Sequence, residues 1–400
     1  MSSDISSAPD RIEIIDAIRG MAIFGILLAN IRSWSGYRFI LFEDIRKLPF
    51  YELDALFNQL HYWLIDGKFY AIFSLLFGAG FGIQYLKNRG NLDEFIPRYR
   101  WRVMCLLLFG VMHALLWSGD ILTLYALLAL VLIMFRNIEL PWLLPLSLCL
   151  LASFSLSQIY ALYLLDPGPE LLSLAHSTYP EMTPQEISQG YGQGGFAEVF
   201  SVNLHNLYWR WMDFFPNGRF TRVLGFFVLG FYLVRSGFFQ TQIYSWLNLF
   251  LFFTIGLAAT WVAWITDSNI SSWSTSGSDV ILKLIIVLGQ CCLAMGYICL
   301  LAQASRAPAG RLLAKALSLV GRMAFTSYLL QTAIGIGLFY GVGFGLWGTM
   351  GLAQLWLLSV FIFLGQVVLC GLWLHWYRQG PMEWLWGCMT NGKLQPNLRH

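Results

Sequence analysis

Apolar stretches of about 20 residues recur along this chain, and their recurrence restricts the fold more than any other feature. An α-helix of that length rises about 30 Å, which matches the hydrocarbon core of a bilayer. Hydrophobic residues make up 57% of the 400 residues and charged residues only 12%, and the mean hydropathy is +0.61. The sequence therefore predicts an all-α integral membrane protein, a polytopic bundle of about ten transmembrane helices. The predicted spans are residues 14–31, 68–87, 101–119, 120–136, 141–165, 220–236, 243–265, 279–303, 320–341 and 353–376.

The connections between these spans predict a single membrane domain over residues 1–400, without a separate soluble domain. Two connections, residues 32–67 and 166–219, are long, and loops beyond about 15 residues are usually functional. The first has the pattern of an amphipathic helix, YELDALFNQLHYWLIDGKF, and the second carries an aromatic run, NLHNLYWRWMDFF. We predict that both are outer loops that form a cap on the bundle.

Lysine and arginine are unevenly distributed among the predicted connections. If the N-terminus is cytoplasmic, 15 of them lie in cytoplasmic segments and 7 in outer segments. Cytoplasmic loops of membrane proteins carry an excess of these residues. The sequence therefore predicts a multi-pass protein of the plasma (inner) membrane with both termini in the cytoplasm.

Several classes of site and partner are disfavoured by the sequence. The seven cysteines and six histidines form no CxxC or HExxH motif, so we predict no metal site and no resident cofactor. The net charge of +3 is spread over a long chain without a basic aromatic stripe, so no nucleic-acid partner is predicted. The predicted partner is the lipid bilayer, and a homodimer is left open.

The first span carries three polar residues in the run IIDAIRGMAIFGILLANI. Asp16, Arg19 and Asn30 fall within about 60° of one another around a helix, and about 21 Å of rise separates the first from the last. Ionisable residues inside a bilayer are costly and usually face a protein or water-filled interior, so they indicate function. With Arg322, the first two form a predicted cluster at the cytoplasmic end of the bundle. Their structural alternative is an i,i+3 ion pair that only stabilises the bundle.

A second cluster of polar residues is predicted at the outer end of the bundle: Asn30, His61, Asp66, Lys68, His113, Asp120, His205 and Arg210. Acid, base and amide groups in a low-dielectric cavity suit general acid–base catalysis, and a transporter uses the same groups for coupling. Structural alternatives exist here as well. His113 would bond a neighbouring helix, Asp120 would cap the fourth span, His61 would lie at the interface, and Lys68 would extend towards headgroups.

Five motifs resemble the YeiB-type family of bacterial membrane proteins, whose function is largely unassigned, and the resemblance covers nearly the whole chain. The motifs are DAIRG (16–20), GKFYAIFSLLFGAGFG (67–82), GVMHALLWSGDILTLYALLAL (110–130), VGRMAFTSYLLQT (320–332) and RQGPMEWLW (378–386).

The first span also resembles that of the transmembrane acyltransferase superfamily, through its DxxRG start and the polar residue 14 positions after Asp16. That superfamily includes lysosomal glucosaminide acetyltransferases, in which an Asn similar to Asn30 belongs to the active site, and bacterial sugar acyltransferases, which usually carry a catalytic His there. The resemblance implies a transmembrane-acyltransferase-like bundle with Asn30 in the catalytic site. It supplies no position for a histidine base, and predicted depth makes His113 and His61 the candidates, with Asp120 beside them.

The same resemblance implies transfer of an acyl group from a cytoplasmic acyl-CoA-type donor to an extracytoplasmic acceptor, a sugar or another small hydroxyl or amine compound. Four residues are predicted to bind the donor or to form structural charge pairs: Asp16, Arg19, Arg322 and Lys68. The donor phosphates are predicted near Arg19, Arg322 or the basic segment 98–102, and Asn30 would donate a hydrogen bond to the oxyanion. Aromatic residues of the second outer loop are predicted to stack on a sugar: Tyr208, Trp209 and Trp211. The alternative is a small-molecule transporter or exporter that uses the buried charged residues.

Overall fold

The computed structural model describes residues 9–164, 179–214, 218–266 and 277–399, and within these ranges it contains sixteen α-helices and no β-strand beyond one isolated bridge, Tyr377 with Leu398. The helices are α1 (Pro9–Trp34), α2 (Phe42–Ile45), α3 (Tyr51–Leu60), α4 (Lys68–Lys87), α5 (Leu92–Leu116), α6 (Leu122–Leu132), α7 (Leu140–Leu164), α8 (Pro184–Gly192), α9 (Phe196–Phe214), α10 (Arg219–Arg235), α11 (Trp246–Thr266), α12 (Gly277–Ala304), α13 (Pro308–Arg322), α14 (Ala324–Phe339), α15 (Leu352–Trp376) and α16 (Pro381–Asn391). The predicted all-α class is therefore confirmed.

Each predicted span coincides with a helix: α1, α4, α5, α6, α7, α10, α11, α12, α14 and α15. Six segments of the described chain are long and apolar enough to cross a membrane. They are Glu13–Trp34, Tyr51–Lys87, Leu92–Leu116, Trp246–Thr266, Val280–Ala304 and Leu352–Trp376. Leu122–Phe135, Leu140–Ser153 and Ala324–Phe339 are shorter apolar helices. The protein is thus a polytopic helical membrane protein.

Three boundaries differ from the prediction. The third span begins at Leu92 rather than at residue 101, because its first turns are polar and hydropathy detects only the apolar part. The ninth span, predicted to run over 320–341, is divided at Met323 between α13 and α14. The aromatic run of the second long connection is part of the helix α9 up to Phe214 rather than a loop; residues 166–178 and 215–217 of that connection lie outside the described residues.

Helix α1 lies at the centre of the bundle and contacts α4, α13, α14 and α15. Its approach to α13 depends on two glycines. A Cβ atom added at Gly20 would lie 1.9 Å from the Leu317 carbonyl oxygen, and one added at Gly321 would lie 1.8 Å from the Asp16 carbonyl oxygen. Small residues let membrane helices pack backbone to backbone in this way, and the contact brings the polar start of α1 against the end of α13.

The lipid-facing surface is formed mainly by α11 and α15, whose apolar side chains are largely exposed. Large exposed residues there include Trp261, Ile265, Phe361, Leu364 and Leu372. A continuous exposed apolar surface of this kind marks contact with lipid in a chain of this composition.

The two ends of the bundle differ in character. The start of α1, the end of α13 and the C-terminal helix α16 lie at one end, which we call the termini side; there the Trp386 indole donates to the Arg102 carbonyl oxygen at the start of α5 (2.8 Å). The opposite end, the loop side, carries the segment between α1 and α4 and the helices α8 and α9.

Candidate functional site

Two cavities enter the bundle from opposite ends and meet at one aromatic side chain, Tyr328 of α14. The termini-side cavity has a volume of about 270 Å³ and is lined by Arg19, Arg102, Arg322 and Tyr328, among others. The loop-side cavity has a volume of about 300 Å³ and is lined by Asn30 together with Tyr328. Tyr328 is only 2% exposed, so this buried ring is the point at which the two cavities approach each other.

The ion pair predicted in the first span is present on the termini side. The Arg19 guanidinium donates to the Asp16 carboxylate at 2.6 Å and to the Gly321 carbonyl oxygen at 3.4 Å. The two side chains are 32% and 15% exposed, so the pair borders the cavity instead of being sealed in lipid. Arg322 is close enough to attract the same carboxylate.

Arginines exceed free carboxylates in the termini-side cavity. The Glu383 carboxylate, which also lines it, accepts from the backbone N–H groups of Phe325 (2.7 Å) and Thr326 (3.1 Å) and from the Thr326 hydroxyl. It therefore caps α14 and explains why a helix begins immediately after the break at Met323. With Asp16 and Glu383 engaged, the guanidinium groups leave an excess of positive charge that suits phosphate.

Asn30 lines the loop-side cavity near the end of α1. It makes no hydrogen bond to another described residue, and its side chain is half-buried. An amide donor is therefore open to the cavity at the end of the polar face predicted for the first span.

Asp66 is the carboxylate that lines the loop-side cavity, and His61 lies behind it. The His61 Nε2 atom is 3.3 Å from Asp66 Oδ1; His61 is 1% exposed, whereas the Asp66 side chain is 49% exposed. The π-helical turn His61–Ile65 sets this arrangement. Gly67 follows with φ of +78°, which favours glycine, and a Cβ atom there would lie 2.1 Å from Gln290.

His113 does not line either cavity within the described residues. Its Nδ1 atom is 2.7 Å from Asp120 Oδ1 and its Nε2 atom 2.9 Å from the Thr332 hydroxyl, and all three residues are buried. The Asp120 carboxylate also accepts from the backbone N–H groups of Leu122 (3.0 Å) and Thr123 (2.8 Å), so it caps α6. The group joins α5, α6 and α14, as the structural alternatives for both residues predict.

Lys68 lies on the loop side, apart from Asp16, Arg19 and Arg322, with which it was grouped as a donor-binding residue. It is buried, and its ammonium group donates to the Tyr62 carbonyl oxygen. Lys68 is the first residue of α4, the end of the second span at which hydropathy placed it. Hydropathy does not show that its hydrogen-bond partner is a backbone carbonyl group.

A third cavity, the adjoining cavity, continues from the loop-side cavity and has a volume of about 500 Å³. The two share Arg38, Trp117 and Arg210 among their lining residues. Of the aromatic residues predicted to contact a sugar, Trp209 lines it, whereas Trp211 packs against Phe214 and Phe220 (ring centroids 5.4 and 5.9 Å apart). Tyr208 is exposed and contacts Trp209 edge-on.

His205, at the same cavity, accepts a hydrogen bond from the Met182 backbone N–H (3.0 Å), and burial lowers its pKa. Sequence reasoning placed Arg210 in the outer cluster, but it missed the lining role of Tyr328 and those of three further arginines on the loop side, Arg38, Arg219 and Arg222. Those arginines carried a signal, since all of them were counted as outer charges for topology. Among the described residues, no group of three or more His, Cys, Asp or Glu is arranged to hold a metal ion.

Known proteins are similar in sequence to this chain over nearly its whole length. A model described as "Protein of unknown function (DUF418)" matches residues 233–393. The chain is similar to "Uncharacterized protein YxaH" of Bacillus subtilis (strain 168), 29% identical over 97% of this chain and 96% of the relative. It is also similar to "Uncharacterized protein YeiB" of Escherichia coli (strain K12), 28% identical over 95% of this chain and 96% of the relative. No solved structure matches the chain significantly.

Proposed function

This chain belongs to the YeiB-type family of uncharacterized proteins, and from that premise we propose that it is a membrane-bound acyltransferase. It moves an acyl group from a cytoplasmic acyl-CoA-type donor to the hydroxyl or amine group of an extracytoplasmic acceptor. The observation that carries this proposal is that Tyr328 lines both cavities, since a donor and an acceptor from opposite sides of the membrane then have one meeting point.

The termini-side cavity suits the donor. Arg19, Arg102 and Arg322 line it, and planar guanidinium groups bind phosphates in a bidentate manner. Eleven residues separate Arg19 from Asn30 in α1, a rise of about 16 Å. A donor held by its phosphates at Arg19 therefore needs an extended arm to bring its thioester to Asn30, and pantetheine is such an arm.

The loop-side cavity supplies the chemistry. The acceptor oxygen or nitrogen attacks the thioester carbonyl carbon while Asp66 takes its proton; the carbon–sulfur bond then breaks and the proton passes to the departing thiolate. Asn30 donates to the oxyanion of the tetrahedral intermediate. His61, behind Asp66, holds the carboxylate in place. We assign the base to Asp66 because both ring nitrogens of His113 already have partners.

A transporter remains the second candidate, and the same cavities favour it. Two cavities at opposite ends of the bundle that both reach one buried ring, Tyr328, have the arrangement that alternating access requires. This function needs no acyl donor, so ligand binding separates the two candidates.

We expect CoA and acetyl-CoA to raise the melting temperature of the purified full-length protein, because a ligand at 100 times its Kd stabilises by about 2.7 kcal/mol. Arg322→Gln should weaken this stabilisation at least tenfold in apparent affinity. Arg311→Gln is the matched control, since Arg311 is an exposed arginine of the same helix, α13, and does not line the termini-side cavity. Stabilisation by neither compound, together with solute flux in liposomes, would overturn the acyltransferase in favour of transport.

We further propose that the protein resides in the plasma (inner) membrane with the termini side in the cytoplasm. Gln193 and Ala309, both exposed, lie on the loop side and near the start of α13. An impermeant maleimide should label Gln193→Cys in intact cells and Ala309→Cys only after permeabilisation, measured against the parent chain with its native cysteines. Labelling of both positions from the same side contradicts this orientation.

A further inference from the structure

The loop-side cavity carries more positive charge than the proposed transfer uses. Four arginines line it against the single carboxylate of Asp66 within the described chain: Arg38, Arg210, Arg219 and Arg222. They come from three separate segments, namely the connection after α1, the helix α9 and the first turn of α10. Tertiary packing therefore brings these four guanidinium groups to one cavity. Exposure to solvent at the surface does not explain why they lie together.

Two of these arginines, Arg210 and Arg219, have side-chain donors without an acceptor among the described residues. Arg210 donates through Nη2 to the Gly119 carbonyl oxygen (3.2 Å), and the Arg219 guanidinium lies over the Tyr70 ring, 4.2 Å from its centroid. The Nε atoms of Arg210 and Arg219 are buried and have no hydrogen-bond partner among the described residues. Burial first, and then repulsion from Arg219, lowers the pKa of Arg210 to about 10. A bound anion relieves both effects.

Backbone groups add to this field. Helices α4 and α10 begin at the cavity, with Gly67 and Tyr70 of one and Arg219 of the other in its lining. Neither helix has a side-chain cap or an acidic residue in its first turn, and uncapped N-termini attract anions. Tyr328, 2% exposed, also lines the cavity, and its buried hydroxyl has no hydrogen-bond partner among the described residues.

We infer that the loop-side cavity binds a phosphate group of the acyl acceptor, so that the acceptor is a phosphorylated compound; this inference rests on the proposed function. A phosphate monoester carries a charge of about −1.5 to −2 at pH 7 and offers several acceptor oxygens, which matches several guanidinium groups better than one carboxylate does. The rest of the acceptor occupies the adjoining cavity beside Trp209. The phosphate thus anchors the acceptor next to Asn30 and Asp66.

Binding of inorganic phosphate and pyrophosphate to the full-length protein, measured by calorimetry without CoA, tests the inference. We expect saturable binding that Arg210→Gln or Arg219→Gln weakens at least tenfold, with Arg219→Lys intermediate because lysine binds phosphate only as a point charge. Arg46→Gln is the matched control, since it removes one exposed arginine from the same side but outside the cavity. Phosphate bound in the termini-side cavity would appear as a separate binding event, which Arg322→Gln should weaken. The event that Arg210→Gln weakens should be unchanged in Arg322→Gln, which separates the two cavities.

Two outcomes overturn the inference: absence of saturable phosphate and pyrophosphate binding, or binding that neither Arg210→Gln nor Arg219→Lys alters. Equal binding of citrate overturns it in favour of a carboxylate acceptor. In phosphatidylcholine nanodiscs, competition by added phosphatidic acid assigns the phosphate to a lipid, and lack of competition assigns it to a soluble acceptor. Phosphate binding without any response to CoA would contradict the proposed acyl transfer, but it would still support a phosphate site in the loop-side cavity.

Discussion

Asn30→Ala is expected to lower the rate of acyl transfer by about 10²–10³-fold, the usual effect of removing one oxyanion donor. The substitution should leave donor binding and folding intact, because the Asn30 amide bonds no other described residue and so leaves no protein group unpaired. The measurement is kcat with acetyl-CoA alongside the melting temperature and the CoA affinity.

Asn248→Ala is the matched control for this change. Among the described residues, the Asn248 side-chain amide donates hydrogen bonds only to Gln242. Asn248 lines neither the termini-side nor the loop-side cavity. A lower melting temperature with unchanged turnover in Asn30→Ala would show that the amide serves packing, and the oxyanion role would then be lost.

Asp66→Asn is expected to lower transfer by about 10²–10⁴-fold, the range typical of a general base. The amide keeps the shape of the side chain beside His61 but cannot accept a proton from the acceptor. His113→Gln provides the contrast, since it should reduce stability by breaking the bonds to Asp120 and Thr332, at about 1–3 kcal/mol for each group left unsatisfied, while retaining turnover. The two variants are compared by single-turnover rates and by thermal unfolding.

The opposite pattern of effects would assign the general base to a different residue. If His113→Gln abolishes transfer and Asp66→Asn retains it, His113 is the base, and its bond to Thr332 must open during the reaction. This test settles the choice between the histidine base expected from depth and the carboxylate favoured by the cavity lining.

The local features of this protein were predictable from its sequence. Apolar length predicted the ten helices, and helical periodicity placed Asp16, Arg19 and Asn30 on one face of α1. The Asp16–Arg19 pair is separated by a single helical turn, so its formation depends on no other part of the chain. The cap that Asp120 provides for α6 is local as well.

Contacts between distant segments were decided by the tertiary structure alone. His113 bonds Thr332, 219 positions away, and Glu383 caps α14 from a different helix. Hydropathy reports how deep a residue lies and periodicity reports the direction it faces, but neither specifies which helices are neighbours. That choice depends on close packing at sites such as Gly20 and Gly321. It determines that Tyr328 lines both cavities and that arginines from three segments line one of them.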